Sequence, residues 1–275
     1  MTTRPTEPGR EAVAGAGLYL QAYVWPGANP PLVFLHPNRT NARVWDFAIA
    51  ASRNAHRKVT YDERGHGLSA YPDTGYDLAG HLADLTRVIQ GVAHDPVILV
   101  GQGTGGLLAL LYATQHPDRI AAVVAADPAN RVDPAINELF FRQVREENRF
   151  ATRAEAAQAI PFSRFWRADV REHYASHCFV ETPDGWRWRY HAEGVIHTQR
   201  FLTADHTAEI AVRCPVLLAR GEHSETCTDR HLVELAARAP GARTAVIAAS
   251  AHRVCQDNPE GFAQALDAFL TTLGD

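Results

Sequence analysis

Five short patterns in this chain put polar or glycine-rich stretches at the ends of apolar runs, where chemistry is most often done. Pro96-Val97-Ile98-Leu99-Val100 runs into Gly101-Gln102-Gly103-Thr104-Gly105-Gly106, and Tyr61-Asp62-Glu63-Arg64-Gly65-His66-Gly67-Leu68-Ser69 closes an earlier run. Ala249-Ser250-Ala251-His252 follows the last apolar run, and Leu35-His36-Pro37 and Arg220-Gly221-Glu222-His223 complete the set. Glycines this dense between a strand and a helix mark a turn that leaves no room for a Cβ. Imidazole is the group best matched to proton transfer near neutral pH, which draws attention to His252. Asp127 offers a carboxylate at the end of Ile120–Ala126. Each has a plainer reading: His252 could hydrogen-bond within a core, and Asp127-Pro128-Ala129-Asn130 is an ordinary turn sequence. The other histidines are scattered, without the close helical or strand spacing of metal ligands. Cys178, Cys214, Cys227 and Cys255 form no C-x-x-C pair. No metal, redox motif or cofactor is expected.

These residues need strands and helices in alternation to bring them together. Gly17–Val24, Leu32–Leu35, Arg57–Tyr61, Pro96–Val100 and Ile120–Ala126 read as strands, and after a long interruption Cys214–Arg220 and Thr244–Ala249. The later strands carry few alternating polar residues, so they are expected to be parallel and buried on both faces. Tyr76–Val92, Gly105–His116, Asp229–Ala239 and Pro259–Leu273 have helical spacing, the last opened by Asn258-Pro259. The stretch Pro134 to His206 breaks the rhythm. It holds the helical patterns Ile136–Glu147 and Arg153–Ala159, the aromatic group Phe162, Phe165 and Trp166, and the turn Pro183-Asp184-Gly185 followed by Trp186 and Trp188.

Bulk properties narrow the function classes. The 275 residues are 46% hydrophobic and 21% charged, enough to bury a large α/β core and against the pattern of disorder. A formal net charge of −4 without long basic runs gives no electrostatic reason to expect nucleic acid as a partner. Met1 to Gly15 is polar and lacks a signal core, the first dozen residues are expected to be loose, and no apolar stretch nears the roughly 18 residues of a membrane span. The expectation is a cytoplasmic monomer or homodimer with reduced thiols, acting on a small molecule and not on a membrane.

In this order and context, the five patterns resemble the α/β-hydrolase fold over nearly the whole chain. The resemblance implies a mostly parallel central sheet flanked by helices: a core of residues 1–133 and 207–275 with an inserted helical cap, 134–206. In that family the strand-to-helix turn is G-x-S-x-G, with the serine as nucleophile. Here the central position is Gly103. Thr104 is no substitute. Centring on it puts Gln102 where a small residue is required, and one step along a turn that opens a helix rotates the side chain by about 100°. The family's oxyanion hole implies a donor in the Thr104 N–H and a second in the loop His36-Pro37-Asn38, where Pro37 has no N–H and Asn38 is expected instead. The family's usual acid position is Ser224 here, with Glu222, Glu225 and Asp229 out of register. Asp127 matches the position some members use, and is the expected partner of His252. His36, Gln102, Phe140, Trp166 and Trp188 are the residues expected to face substrate. Arg64 and His66 are expected to be structural.

Without a serine, no seryl acyl-enzyme can form. A His–Asp dyad before an oxyanion hole can still act as a general base, worth roughly 10²–10⁴-fold. It could activate water, or deprotonate a substrate whose anion the hole then holds. The second use resembles the cofactor-free 3-hydroxy-4-oxoquinoline 2,4-dioxygenases of the same fold, through Asp127, His252, the run Arg64–Ser69 and Trp166. Those enzymes keep the elbow serine, and their oxyanion loop differs. The expected substrate is a small, apolar or aromatic carbonyl compound, cleaved oxygenolytically or by water. The rivals are an ester or lactone hydrolase inactivated at Gly103, naturally or by design, and a non-catalytic ligand-binding member of the fold.

Overall fold

Val97–Gln102 (β5) is apolar at nearly every position and buried along its whole length, as a strand covered on both faces must be. It sits near the middle of an eight-stranded sheet in the computed structural model, which describes residues 4–15, 18–146, 149–160, 163–201 and 204–274. Gly17, Glu147 and Phe162 lie outside the described residues.

The other strands are Gly9–Gly15 (β1), Leu18–Trp25 (β2), Ala28–Leu35 (β3), His56–Tyr61 (β4), Ile120–Ala126 (β6), Val216–Gly221 (β9) and Arg243–Ile247 (β10). Their order is β1-β2-β4-β3-β5-β6-β9-β10, with β1/β2 and β2/β4 antiparallel and all other pairs parallel. The period of two divides the interior: Phe34, Ile98 and Val100 face one apolar cluster, while Val33, Leu35 and Leu99 face the other. Helices cover both faces: Asp46–Ala51 (α1) and Pro259–Thr271 (α10) on the first, Leu78–Val88 (α2) and Thr104–Gln115 (α3) on the second, with Asp229–Ala236 (α8) beside β9.

Two expectations are corrected. Gly9–Gly15, whose first four residues fall within the dozen expected to be loose, is an edge strand paired residue for residue with β2, because backbone pairing needs no apolar side chains. Conversely β10, expected to be buried on both faces, is the opposite edge and exposes Val246. Edge strands escape a periodicity argument because one flank has no neighbour.

Between β6 and β9 the chain makes Pro134–Glu146 (α4), Arg153–Gln158 (α5), Ala168–His177 (α6), the hairpin Phe179–Thr182 (β7) and Gly185–Trp188 (β8), and Ala192–Phe201 (α7). The segment expected to be helical therefore includes a hairpin, turned at Gly185 where φ is 110°. Among the described residues no helix is long and apolar enough to cross a membrane.

The loop Asp62–Ser69 ties this segment to the sheet. The Asp62 carboxylate accepts from the N–H groups of Ala42 and Leu68 and from the Tyr23 hydroxyl, and a Cβ at Gly67 would strike it. Arg64 forks onto Asp84 at 2.7 and 2.8 Å. His66 bridges to Tyr190, and the Gly67 N–H reaches the Arg189 carbonyl at 2.9 Å. His66 is fully buried; its Nδ1–H donates to the Arg64 carbonyl, and burial, helped by the neighbouring His36 ring, pushes its pKa down to about 3. The folded chain thus refuses a proton that the unfolded chain accepts near pH 6.5. Stability from His66 is complete above that pH and falls as pH drops toward 3, by about 1.4 kcal/mol per unit. Urea unfolding between about pH 6.5 and 5 will show at least this slope, with His177, also pushed down to about 3 by burial, adding to it, and His66→Gln will remove about 1.4 kcal/mol per unit.

Candidate active site

The glycine run after β5 makes an elbow. At Gly103 φ is 57° and ψ is −119°; its N–H donates to the Ala126 carbonyl, and its own carbonyl accepts from Leu107 and Ala129. A Cβ at Gly101 would overlap the Gly105 carbonyl, and one at Gly105 would overlap the Leu35 carbonyl. Both positions therefore admit only glycine, as the crossing of α3 over β3 and β5 requires. Gly103 differs. A Cβ there would stand 3.2 Å from Pro37 Cβ and 3.3 Å from His252 Nε2, so this position faces an imidazole rather than backbone.

His252 Nδ1 lies 2.7 Å from Asp127 Oδ1. Asp127 is completely buried and takes φ 46°, a conformation that costs a non-glycine residue about 1–3 kcal/mol. The surroundings fix it: its N–H bonds to the Ala219 carbonyl, and its carboxylate also accepts from the Gly221 N–H at 3.0 Å and the Ser224 hydroxyl at 2.7 Å. Ser224 occupies the position where the family's acid is usual; here its side chain serves the displaced carboxylate, a role missed in the sequence although the position was marked. The other acids considered point elsewhere: Glu222 to the Ala249 N–H and Asp229 to Arg220.

Thr104 opens α3, so its N–H has no carbonyl four residues back within the helix. Asn38 behaves otherwise than expected. Its N–H donates to Thr104 Oγ1 at 2.9 Å, because the threonine hydroxyl lies directly in its path, and its side chain is committed to the Val195 carbonyl and to Gln199. The acceptor bond leaves the Thr104 hydroxyl hydrogen as a further donor.

A cavity of about 290 Å³ opens in front of these groups, lined among others by Arg39, Thr104, Phe140, Gln199 and His252. Phe140 is there as expected. Four other candidate substrate contacts are not. His36 is fully buried and holds the Glu63 N–H with Nε2. Gln102 is fully buried and accepts from the Cys255 N–H. Trp166 packs on Tyr174, and Trp188 stacks on Tyr190 in the interior of the inserted segment. Alternation along β5 and burial beneath loops, neither visible in residue type, removed them. Arg39, Arg253 and Gln199, which the sequence reading missed, line the cavity instead. An unpaired arginine leaves no mark in a sequence.

No thiol replaces the serine: burial pushes Cys214 up to about 11 and Cys227 up to about 12, and raises Cys178 and Cys255 further still. The expected absence of closely spaced histidines is corrected by His173 and His177, one turn apart on α6, whose ring nitrogens and an Asp46 oxygen lie within 4.8 Å of one another. Arg43 Nε already sits 2.6 Å from Asp46 Oδ2. Its fixed positive charge disfavours a cation there, and the group is better described as a buried Arg43–Asp46 ion pair with two partly exposed imidazoles beside it.

Residues 32–265 match the sequence profile of the alpha/beta hydrolase family. The chain is 26% identical over 247 residues to a 2-(acetamidomethylene)succinate hydrolase of Mesorhizobium japonicum, covering 89% of each. It is 27% identical over 264 residues to an esterase of Mycobacterium tuberculosis, covering 92% of this chain and 87% of that one. A crystal structure of E-2-(acetamidomethylene)succinate hydrolase superposes with a TM-score of 0.84 at 24% identity, over 96% of this chain and 99% of that one, a likeness of fold.

The elbow geometry makes a direct forecast. Gly103→Ser will set a hydroxyl against His252 Nε2, at a stability cost of about 1–3 kcal/mol for a side chain at positive φ. Intact mass spectrometry will then detect one fluorophosphonate adduct per chain, absent from the parent protein and from the Gly103→Ser, His252→Ala double variant.

Proposed function

The chain belongs to the alpha/beta hydrolase family, and from that membership we propose that it cleaves a small carbonyl compound by general-base attack of water, with no covalent intermediate on the protein. One observation carries this reading: His252 Nε2 faces the side-chain-free Gly103 while Nδ1 rests on buried Asp127. A water in front of Gly103 gives up its proton to Nε2 as its oxygen bonds to the carbonyl carbon. Asp127 holds the imidazole in the tautomer with Nε2 unprotonated and stabilises the imidazolium once formed. The Thr104 N–H, at the start of α3, and the Thr104 hydroxyl, polarised by the Asn38 N–H it accepts, stabilise the oxyanion. His252 then returns the proton to the leaving group as the carbonyl–leaving-group bond breaks. The segment 134–206 acts as a cap that narrows access through Phe140 and Gln199.

Two facts favour water over dioxygen as the reactant. The Mesorhizobium and Mycobacterium relatives are named as a hydrolase and an esterase, and Trp166, one feature behind the oxygenolytic likeness, packs on Tyr174 and is not among the residues lining the cavity. The cavity does not suit a wholly apolar substrate, because Arg39 and Arg253 share its wall with Phe140.

Turnover of p-nitrophenyl acetate tests the mechanism. His252→Ala and Asp127→Asn are expected to lower kcat/KM by about 10²–10⁴-fold with circular dichroism unchanged. The parent protein is expected to show no burst and no acetylated species by mass. An acetyl-protein adduct, or full activity in folded His252→Ala, would overturn the proposal.

A further inference from the structure

Of the three arginines buried among the described residues, two are fully partnered: Arg43 on Asp46 and Arg64 on Asp84. Arg39 is not. Only 9% of it is exposed, yet among the described residues no carboxylate lies within 4 Å of its guanidinium and none makes a hydrogen bond to its side chain. None of its nitrogens is sealed from solvent, so the guanidinium opens onto the cavity with its N–H groups free and no counter-charge beside it. Such a group is retained where something else supplies the charge.

The surroundings are built for that. Arg39 adopts φ 62°, a strained conformation for a side-chain-bearing residue. The backbone is pinned there by the Asn38 side chain on its N–H and by the Tyr174 hydroxyl on its carbonyl. The guanidinium carbon lies 5.2 Å from the Phe140 ring centre and 5.9 Å from that of Trp188. The rings fix the side chain without occupying its N–H groups. Arg253, directly after His252, lines the same cavity; its guanidinium packs over Trp166 at 5.3 Å, and its buried Nη1 has no partner. Among the described residues, no aspartate or glutamate lines the cavity. Two arginines therefore line one small volume that contains the Thr104 and His252 groups, and no described residue places a carboxylate in its wall.

We propose that Arg39, with Arg253 beside it, is a carboxylate-binding subsite, and that the compound cleaved at His252 carries a carboxylate next to its reacting carbonyl. The planar fork of a guanidinium matches the two oxygens of a carboxylate in parallel hydrogen bonds. The volume, about 290 Å³, suits a small acid. The inference rests on the hydrolytic reading for the word substrate, but the subsite itself can be tested without turnover.

Isothermal titration with succinate, its neutral diamide and inorganic phosphate provides the test, on the parent protein and on Arg39→Gln, Arg39→Lys, Arg253→Gln and His252→Ala. Succinate is expected to bind the parent protein saturably and the diamide not at all. Arg39→Gln should weaken succinate binding by about 10–100-fold, the span of a charge-assisted hydrogen bond. Arg39→Lys, which keeps the charge and loses the fork, should fall between, and Arg253→Gln should weaken binding less. His252→Ala should bind succinate as the parent does, which separates this subsite from the general-base reading. Failure of His252→Ala to impair turnover would sink that reading and leave the subsite intact. No saturable succinate binding, equal binding of the diamide, phosphate binding as tight as succinate, or undiminished binding in folded Arg39→Gln would each overturn the subsite.

Discussion

A carboxylate buried out of reach of water must find hydrogen-bond donors, and Asp127 collects them from separate parts of the chain. The Gly221 N–H ends β9, the Ser224 hydroxyl comes from the loop beyond it, and His252 comes from the loop after β10. Each bond offsets desolvation of the carboxylate, and together they align the carboxyl ends of β6 and β9 with the His252 loop. The imidazole does not choose its own orientation. It is set by an acid that is itself set by the sheet, which explains how a strained φ at Asp127 is sustained.

The elbow is the second fixed point, and its chemistry follows from which glycines face backbone. Gly101 and Gly105 are required by the close passage of β3, β5 and α3, whatever the protein does. Gly103 is not required in that sense, because what faces it is a ring nitrogen and a proline methylene. The fold keeps the turn, the helix start and the oriented histidine while omitting the hydroxyl. What remains is an elbow position that offers no side-chain oxygen to the histidine facing it.

The inserted segment is joined to this machinery by polar links rather than by a continuous apolar interface alone. Asn38 reaches Val195 and Gln199, Gln199 reaches Asn137, and the Asp62–Ser69 loop bridges to residues 189–191. These bonds place Phe140 and Gln199 over the cavity, and help to hold Arg39 in its strained turn. The charge of the cavity thus comes from the loop after β3 and the loop after β10, while its shape comes from the insertion.

The sequence alone determined the order of the seven strands β2–β6, β9 and β10, the elbow at Gly101–Gly106, the lack of a hydroxyl at Gly103, and the pairing of His252 with Asp127 as the acid–base candidate. These are legible because they depend on local rules: apolar periodicity, glycine at crossings, and residue types at strand ends. Only the tertiary structure decided which polar groups face the cavity. His36 and Gln102 lie within or beside the site's own motifs yet turn inward, and Trp166 and Trp188 pack in the insertion. Arg39 and Ser224 matter only through what surrounds them, an absence of acids for one and a displaced carboxylate for the other. Direction and partnership are properties of packing between distant segments, and a residue type by itself does not encode which of its possible partners the fold will bring within reach.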